Sequence, residues 1–489
     1  MRYIEGEDRY QKTFFPESLD DYITENNPVR FIDAFIENLD LRDLGFVHSE
    51  TKDTGRKPYN PGDILKLYIY GYLNRVRTSR SLEKLTHQNI EVIWLMRKLK
   101  PDFKTIADFR RDNGKAIKQV LKKFTILCRQ LGVLGSEIIA VDGSKFKAQN
   151  SEQRNYSKNQ LEYMLKKAED KVNEYLEQLK SNDLQEPEVT RMSAEELESK
   201  IKLIKERTKQ YKEHLLEMEQ SGDKQISISD PDSRKMRTRN GKQISYNVQI
   251  AVDEKNKLII ANDVTNEGND LNQLHNMALQ TQESLSDKKF DLVADKGYYN
   301  LEDIKKCQDL GIDCYIAKPD YRSRRKGMFS SEEFIYDESK DCYTCPAGNE
   351  LEYRTTVFSD KKWFDFYKSK ACKTCSLKHK CTTSKDGRRI ARWIHQDILD
   401  KLDKNAEYKK HLINKRKAIV EHPFGTLKRS MGYDYFLCKG LKNVKTEFSL
   451  TVLAYNIKRL LNIIDFKRLM SNISTNYINL LIKKYSTCI

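Results

Sequence analysis

Three carboxylates stand apart by what surrounds them. Asp142 closes the apolar run Ile138-Ile139-Ala140-Val141, and Asp295 closes Leu292-Val293-Ala294. Short apolar runs bounded by glycine read as buried strands, so each aspartate is expected to emerge at the edge of a sheet. Both precede a small residue, and both are followed by a basic one, in Asp142-Gly143-Ser144-Lys145 and Asp295-Lys296-Gly297. Most aspartates at strand ends only cap a helix or close a turn. The third, Glu421, falls in the basic stretch Arg416 to Arg429. On a helix Lys417 lies one turn before it and Lys428 two turns after, all on one face, although Pro423 is expected to kink or end that helix. Glu421 then reads either as half of a surface ion pair or as a ligand for a hard divalent cation, which prefers carboxylate oxygens, with its cationic neighbours holding phosphate.

Five of the 10 cysteines fall between Cys342 and Cys381. In a reducing compartment such clustering points to metal rather than disulfides. Cys342-Tyr343-Thr344-Cys345 and Cys372-Lys373-Thr374-Cys375, with Cys381, have the knuckle spacing of a tetrahedral Zn²⁺ site and one thiol to spare; uncoordinated reduced thiols are the alternative. The formal net charge is +16 over 489 residues, with a sequence pI near 9.1. That excess favours a polyanionic partner, nucleic acid first. Arg234-Lys235-Met236-Arg237-Thr238-Arg239 and Arg322-Ser323-Arg324-Arg325-Lys326 read as dense basic loops that meet phosphates, against the alternative of solvated charge. DNA binding should therefore weaken steeply with salt, by a log-log slope of roughly 0.9 per phosphate neutralised. An affinity unchanged between low and moderate salt in a titration would contradict this.

The elements that must hold these residues follow from periodicity and caps. With 33% charged residues, a mean hydropathy of −0.75 and no apolar run near the roughly 20 residues of a membrane span, the chain reads as soluble. The start Met1-Arg2-Tyr3-Ile4-Glu5 lacks the apolar core of a signal peptide, so a cytoplasmic location is expected. Residues 1–135 read as helical, with starts at Asn60-Pro61, Thr78-Ser79 and Thr105. Short basic helices suit a helix-turn-helix-like DNA-binding unit, or an ordinary packing domain. Residues 155–220 carry two heptad-like runs, Leu161 to Leu179 and Leu197 to Met218, divided by a turn around Pro187. They predict an antiparallel helical hairpin of coiled-coil type. Strands are expected at Ile244–Val252, Leu258–Ala261, Phe290–Ala294 and Asp313–Ala317, with a helix from Asp270 to about Leu285. That order predicts a mixed α/β sheet, with residues 320–400 as a cysteine-rich insertion and helices closing the chain.

In combination these segments resemble the DDE-type insertion-sequence transposases of bacteria. The resemblance rests on Val141-Asp142-Gly143-Ser144, Ala294-Asp295-Lys296-Gly297-Tyr298-Tyr299 and Val420-Glu421-His422-Pro423-Phe424-Gly425-Thr426-Leu427-Lys428-Arg429. Asp230-Pro231-Asp232-Ser233-Arg234, Tyr246-Asn247-Val248-Gln249 and Ala454-Tyr455-Asn456-Ile457-Lys458-Arg459 fit as well. The resemblance implies an RNase H-like catalytic domain over 136–465, interrupted at 155–220 and 320–400. A helical DNA-binding domain over 1–135 would precede it and a tail over 466–489 would follow. It implies that Asp142, Asp295 and Glu421 bind two Mg²⁺ or Mn²⁺ ions, and that Cys345, Cys372, Cys375 and Cys381 bind a structural Zn²⁺ in a zinc-ribbon-like lobe, leaving Cys342 spare. Water would attack first at the element's ends, and the freed 3′-OH would then attack target DNA. Terminal inverted repeats, target DNA and a second copy of the chain are the implied partners, in a nucleoid-associated setting. Lys428 matches a family lysine, whereas Lys417 and Asn414 stand where relatives carry Arg and Tyr, and Arg416 is the neighbouring substitute. Arg234, Lys235, Arg237, Arg239, Arg324, Arg325, Arg416, Lys417, Lys428 and Arg429 are the expected DNA contacts. A DNA-binding protein of transposase descent without cleavage, and a related metal-dependent nuclease, are the competing readings.

Overall fold

The computed structural model describes residues 18–473, except 51–56, 151–153, 183–193, 223–224, 239–240, 287–288, 319–326, 361 and 404–405. Six helices come first: α1 (Pro28–Glu37), α2 (Pro61–Leu73), α3 (Ser79–Gln88), α4 (Ile90–Leu95), α5 (Phe103–Asp112) and α6 (Gly114–Gln130). The caps explain most of their starts. The side chains of Asn27, Asn60, Thr78, Asn89 and Asp102 each accept a first-turn N–H, satisfying donors that have no partner inside the helix. Helix α5 thus begins two residues before Thr105, because Asp102 supplies the cap.

Strand β1 (Ile138–Lys147) opens the principal sheet. Next come β2 (Asn155–Ser157), the long helices α7 (Lys158–Asn182) and α8 (Ala194–Ser221), and β3 (Gln225–Ser227), which pairs antiparallel with β2. Tyr175, Leu197 and Ile201 form a small core between α7 and α8. Ion pairs from Lys158 to Glu219 at 3.1 Å and from Lys212 to Glu169 at 3.6 Å run between the same helices. The heptad positions thus meet across an antiparallel pair. Pro187, at the expected turn, lies outside the described residues.

Strands β4 (Arg234–Thr238), β5 (Gly241–Asp253) and β6 (Ile259–Thr265), helix α9 (Leu274–Ser284), β7 (Asp291–Ala294), α10 (Leu301–Asp309) and β8 (Asp313–Ile316) follow. β5 is antiparallel to β1, and both β4 and β6 pair with β5. β7 runs parallel to β1, and β8 parallel to β7. The result is a mixed sheet with β1 near its middle, as the order of strand and helix signals predicts. One expectation fails here. The basic segment 234–238 is an edge strand rather than a loop, with Met236 buried and Lys235 and Arg237 exposed. Its alternation is hidden because the exposed face carries only cations.

A second, five-stranded antiparallel sheet contains β9 (Ile335–Asp337), β10 (Cys342–Thr344), β11 (Glu350–Ser359), β12 (Lys362–Lys368) and β13 (Arg389–Trp393). Its small core gathers Phe334, Tyr343, Leu351, Tyr367 and Ile390. Helices α11 (Gln396–Asp403), α12 (Ala406–Gly425) and α13 (Leu441–Leu461) follow, and a last helical stretch over 466–473 closes the described chain. Pro423 does not end α12: the helix runs on to Gly425 and continues as a π-helical turn over Thr426–Ser430. A π turn suits a place where proline has removed a backbone donor from the ladder.

Helix α13 packs on α2, α5, α6 and β6, and one hydrophobic cluster joins these helices to the principal sheet. Two family-like segments prove to be ties of this core. Asn456 bonds both the N–H and the C=O of Ile259 at 2.9 and 2.7 Å, Tyr455 donates to the Lys257 carbonyl and Arg459 to that of Asn256. Asp230 and Asp232 accept the Gly440 and Leu441 N–H groups at 2.9 and 2.7 Å, where carboxylates favour a helix N-terminus. Among the described residues no helix is long and apolar enough to cross a membrane.

Candidate active site

Parallel pairing sets the two aspartates side by side. Ala140 is level with Val293, and continuing that register by two residues brings Asp142 level with Asp295. Asp142 accepts the Gly143 N–H at 3.0 Å. Asp295 caps a short 3-10 turn, accepting the Gly297 N–H at 2.7 Å. Burial pushes the Asp142 carboxyl up to about 6; Arg416 opposes the shift, while the charges of Asp295 and Asp270 add to it. The Arg416 guanidinium lies 3.4 Å from Asp142, and its buried Nη1 makes no hydrogen bond. A half-buried cation thus stands against the carboxylate that needs one.

Glu421 is placed differently. Its side chain is 61% exposed and pairs with Lys417 at 3.7 Å, while its neighbours Ile419 and Val420 are buried. Lys428 leaves that exposed face. The π turn carries its amine inward, to Ser144 Oγ at 2.7 Å and the Lys145 carbonyl at 2.9 Å, over the Phe146 ring. The shared face expected for Lys417, Glu421 and Lys428 therefore holds only for the first two. A straight-helix count fails once the ladder shifts by one residue. The structure brings Asp142, Asp295 and Arg416 together, and leaves Glu421 on the outer face of α12.

Sequence reasoning missed Asp270 in this role, having read it only as the start of a helix. Its Oδ1 accepts Asn247 Nδ2 and Gln249 Nε2, both at 2.8 Å, and lies 3.5 Å from the Lys145 amine. A Cβ on Gly143 would come within 2.4 Å of that oxygen, and one on Gly297 within 3.8 Å of Asp270 Oδ2. Tyr298 donates to Gln249. Burial, then the charges of Asp270, Asp142 and Asp295, holds its hydroxyl well above the usual tyrosine range. Gly143 in the first aspartate motif was the available clue, since it clears space for this third carboxylate, whereas Gly297 clears space for Asp295 Oδ1 at 2.9 Å.

Of the expected DNA contacts, Lys235 and Arg237 are exposed on β4, Lys417 on α12 and Arg429 on the π turn. Arg234 folds back onto the Pro231 and Ser233 carbonyls at 2.5 and 3.1 Å. Arg416 and Lys428 are engaged as above. Arg239, Arg324 and Arg325 lie outside the described residues.

Cys345, Cys372, Cys375 and Cys381 line one cavity of ≈ 30 Å³ with Phe329 and Phe334. Asn349 N–H donates to Cys345 Sγ at 3.3 Å. Gly387, at φ +88°, lets the chain pass where a Cβ would lie 2.4 Å from that of Cys372. Cys342 is buried on β10 and does not line this cavity. Among the described residues, no three His, Cys, Asp or Glu side chains are gathered closely enough to hold a metal ion.

Two family models match this chain: a Transposase DDE domain over residues 344–461 and a Transposase domain (DUF772) over residues 17–112. No curated protein matches it. Among solved structures, the piggyBac transposase synaptic complex with hairpin DNA is similar over 94% of this chain and 81% of that one, at 11% identity and a TM-score of 0.28. A likeness that low supports neither a fold nor a function here.

Proposed function

We propose that this chain is a DDE-type transposase, as the matches to a Transposase DDE domain and a Transposase domain support, and that it cuts DNA at the ends of an insertion sequence and joins the freed 3′-OH ends to target DNA. What chiefly supports this reading is that Asp142 on β1 and Asp295, the residue after the parallel strand β7, come side by side in a sheet we read as RNase H-like. Asp142, Asp295 and Glu421 would hold two divalent ions, Mg²⁺ or Mn²⁺. The donor set suits them, because hard cations take carboxylate oxygens, and the Asp142 carboxyl is buried within reach of the Asp295 charge. When bound, such ions activate the attacking oxygen and stabilise the leaving one.

The chain's own residues do the rest. Arg416 offsets the Asp142 charge and lies ready for a phosphate. Lys417 presents a cation beside Glu421, Arg429 adds an exposed one on the π turn, and Lys235 and Arg237 extend the basic surface along β4. Lys428 fixes the Ser144–Lys145 stretch of β1. The helical N-terminal part would bind terminal repeats, in a dimer or higher assembly that brings two ends together. Cys345, Cys372, Cys375 and Cys381, which line one cavity, would hold a structural Zn²⁺ that ties the small lobe together. The exposure of Glu421 favours one rival, a DNA-binding descendant without cleavage.

Joining separates the two. A precut element end bearing a 3′-OH, incubated with the protein, Mg²⁺ and a supercoiled target, should yield end–target joints. Bound but unjoined ends would favour the binding-only descendant.

A further inference from the structure

The three carboxylates around Gly143 and Gly297 do not have equal surroundings. Asp142 faces Arg416, and Asp295 caps its own turn. Asp270 is anchored from below by two side-chain amides on β5, those of Asn247 and Gln249, which are themselves fully buried. β5 holds these amides at fixed places against β1, since Gln249 is the register partner of Gly143 and Asn247 of Lys145. Both amides donate to Oδ1, which turns Oδ2 toward Gly297 beside Asp295. A loop aspartate with no task would not need two buried amides and the clearance that Gly143 gives it to stand there.

We infer that Asp270 is a positioning residue of the cleavage site, an outer carboxylate whose fixed charge strengthens the hold of Asp142 and Asp295 on a divalent cation and whose salt bridge parks Lys145 beside it. The inference rests on the proposed function and deepens it. Asp270 acts through its neighbours: its charge bears on Asp142, and the Lys145 amine 3.5 Å away is the cation it restrains. Groups behind the ligands of a metal site typically change cation affinity by about 10- to 100-fold when removed.

Mn²⁺ alone, titrated calorimetrically into the full-length protein, tests this. Asp270→Asn keeps the size and one acceptor oxygen but removes the charge. It should weaken Mn²⁺ binding by about 10- to 100-fold, with an unchanged melting temperature and unchanged DNA affinity. If Asp270→Asn fails to fold, Lys145→Ala decides: with Asp270 unneutralised, Mn²⁺ binding should hold or tighten, and weaker binding would overturn the inference. Wild-type Mn²⁺ binding that is lost in Asp142→Asn but untouched in Asp270→Asn would sink this inference alone. A wild type that takes up no Mn²⁺ would sink the proposed function with it.

Discussion

Asp142→Asn should lower Mg²⁺-dependent strand cleavage by about a thousandfold, the upper end of the range for losing one preorganised electrostatic group, without unfolding the protein. The second half of that result follows from the sign of the Asp142 shift. Its folded value, about 6, lies above the 3.8 of an ordinary aspartate. A carboxyl raised on folding makes the folded state bind protons more tightly, so stability falls as pH climbs from about 4 to about 6 and stays lower above. Asparagine cannot ionise and escapes that cost. At pH 7 without metal, the variant should melt at or above the wild-type temperature while failing to cut. A variant that loses cleavage only because it unfolds would show the opposite, a lower melting temperature in parallel with lost activity.

Glu447→Ala should be the most destabilising single change, costing about 3–5 kcal/mol, the range for breaking a buried ion pair by removing one partner. Glu447 is fully buried on α13. It accepts the Leu437 N–H at 3.0 and 3.1 Å and the Cys438 N–H at 2.8 Å, and lies 3.5 Å from Arg77, itself 6% exposed. Alanine would leave two N–H groups without their acceptor and a buried guanidinium without its counter-charge. The damage should reach the site, because the held segment runs beside β1. Lys147 donates to the Asp434 carbonyl and Phe436 to that of Lys147, both at 2.9 Å. Arg77 also stacks on Tyr433 and Tyr435, tying the N-terminal helices to that segment. Urea unfolding measures the effect, and a loss under about 1 kcal/mol would show that this buried pair is not what holds the segment.

Features set by local chemistry were legible in the sequence. Asn60 before Pro61 and Thr78 before Ser79 do cap helices, because a cap depends on three or four consecutive residues. The apolar runs before Asp142 and Asp295 do become neighbouring strands, because burial on both faces demands continuous hydrophobicity. What the sequence hid depends on distant partners. Lys66 sits inside a run read as apolar and is fully buried, paired with Asp33 at 2.7 Å and with Glu37; nothing local announces that. Residues 335–393 gave no strand signal because β11 is largely exposed, so its side chains need not alternate. Asp270 is 127 residues from Gly143, and only the fold reveals that the glycine is small on its account. Pro423 misled because the rule that it breaks a helix does not foresee a π turn taking up the change.

The most direct test of the central claim is cleavage of a linear duplex carrying one end of the element, with Mg²⁺, with EDTA, and with Asp142→Asn. Nicks at the element's end that need both Mg²⁺ and Asp142 are the predicted result. Tight binding with no cut, in wild type and variant alike, would contradict it.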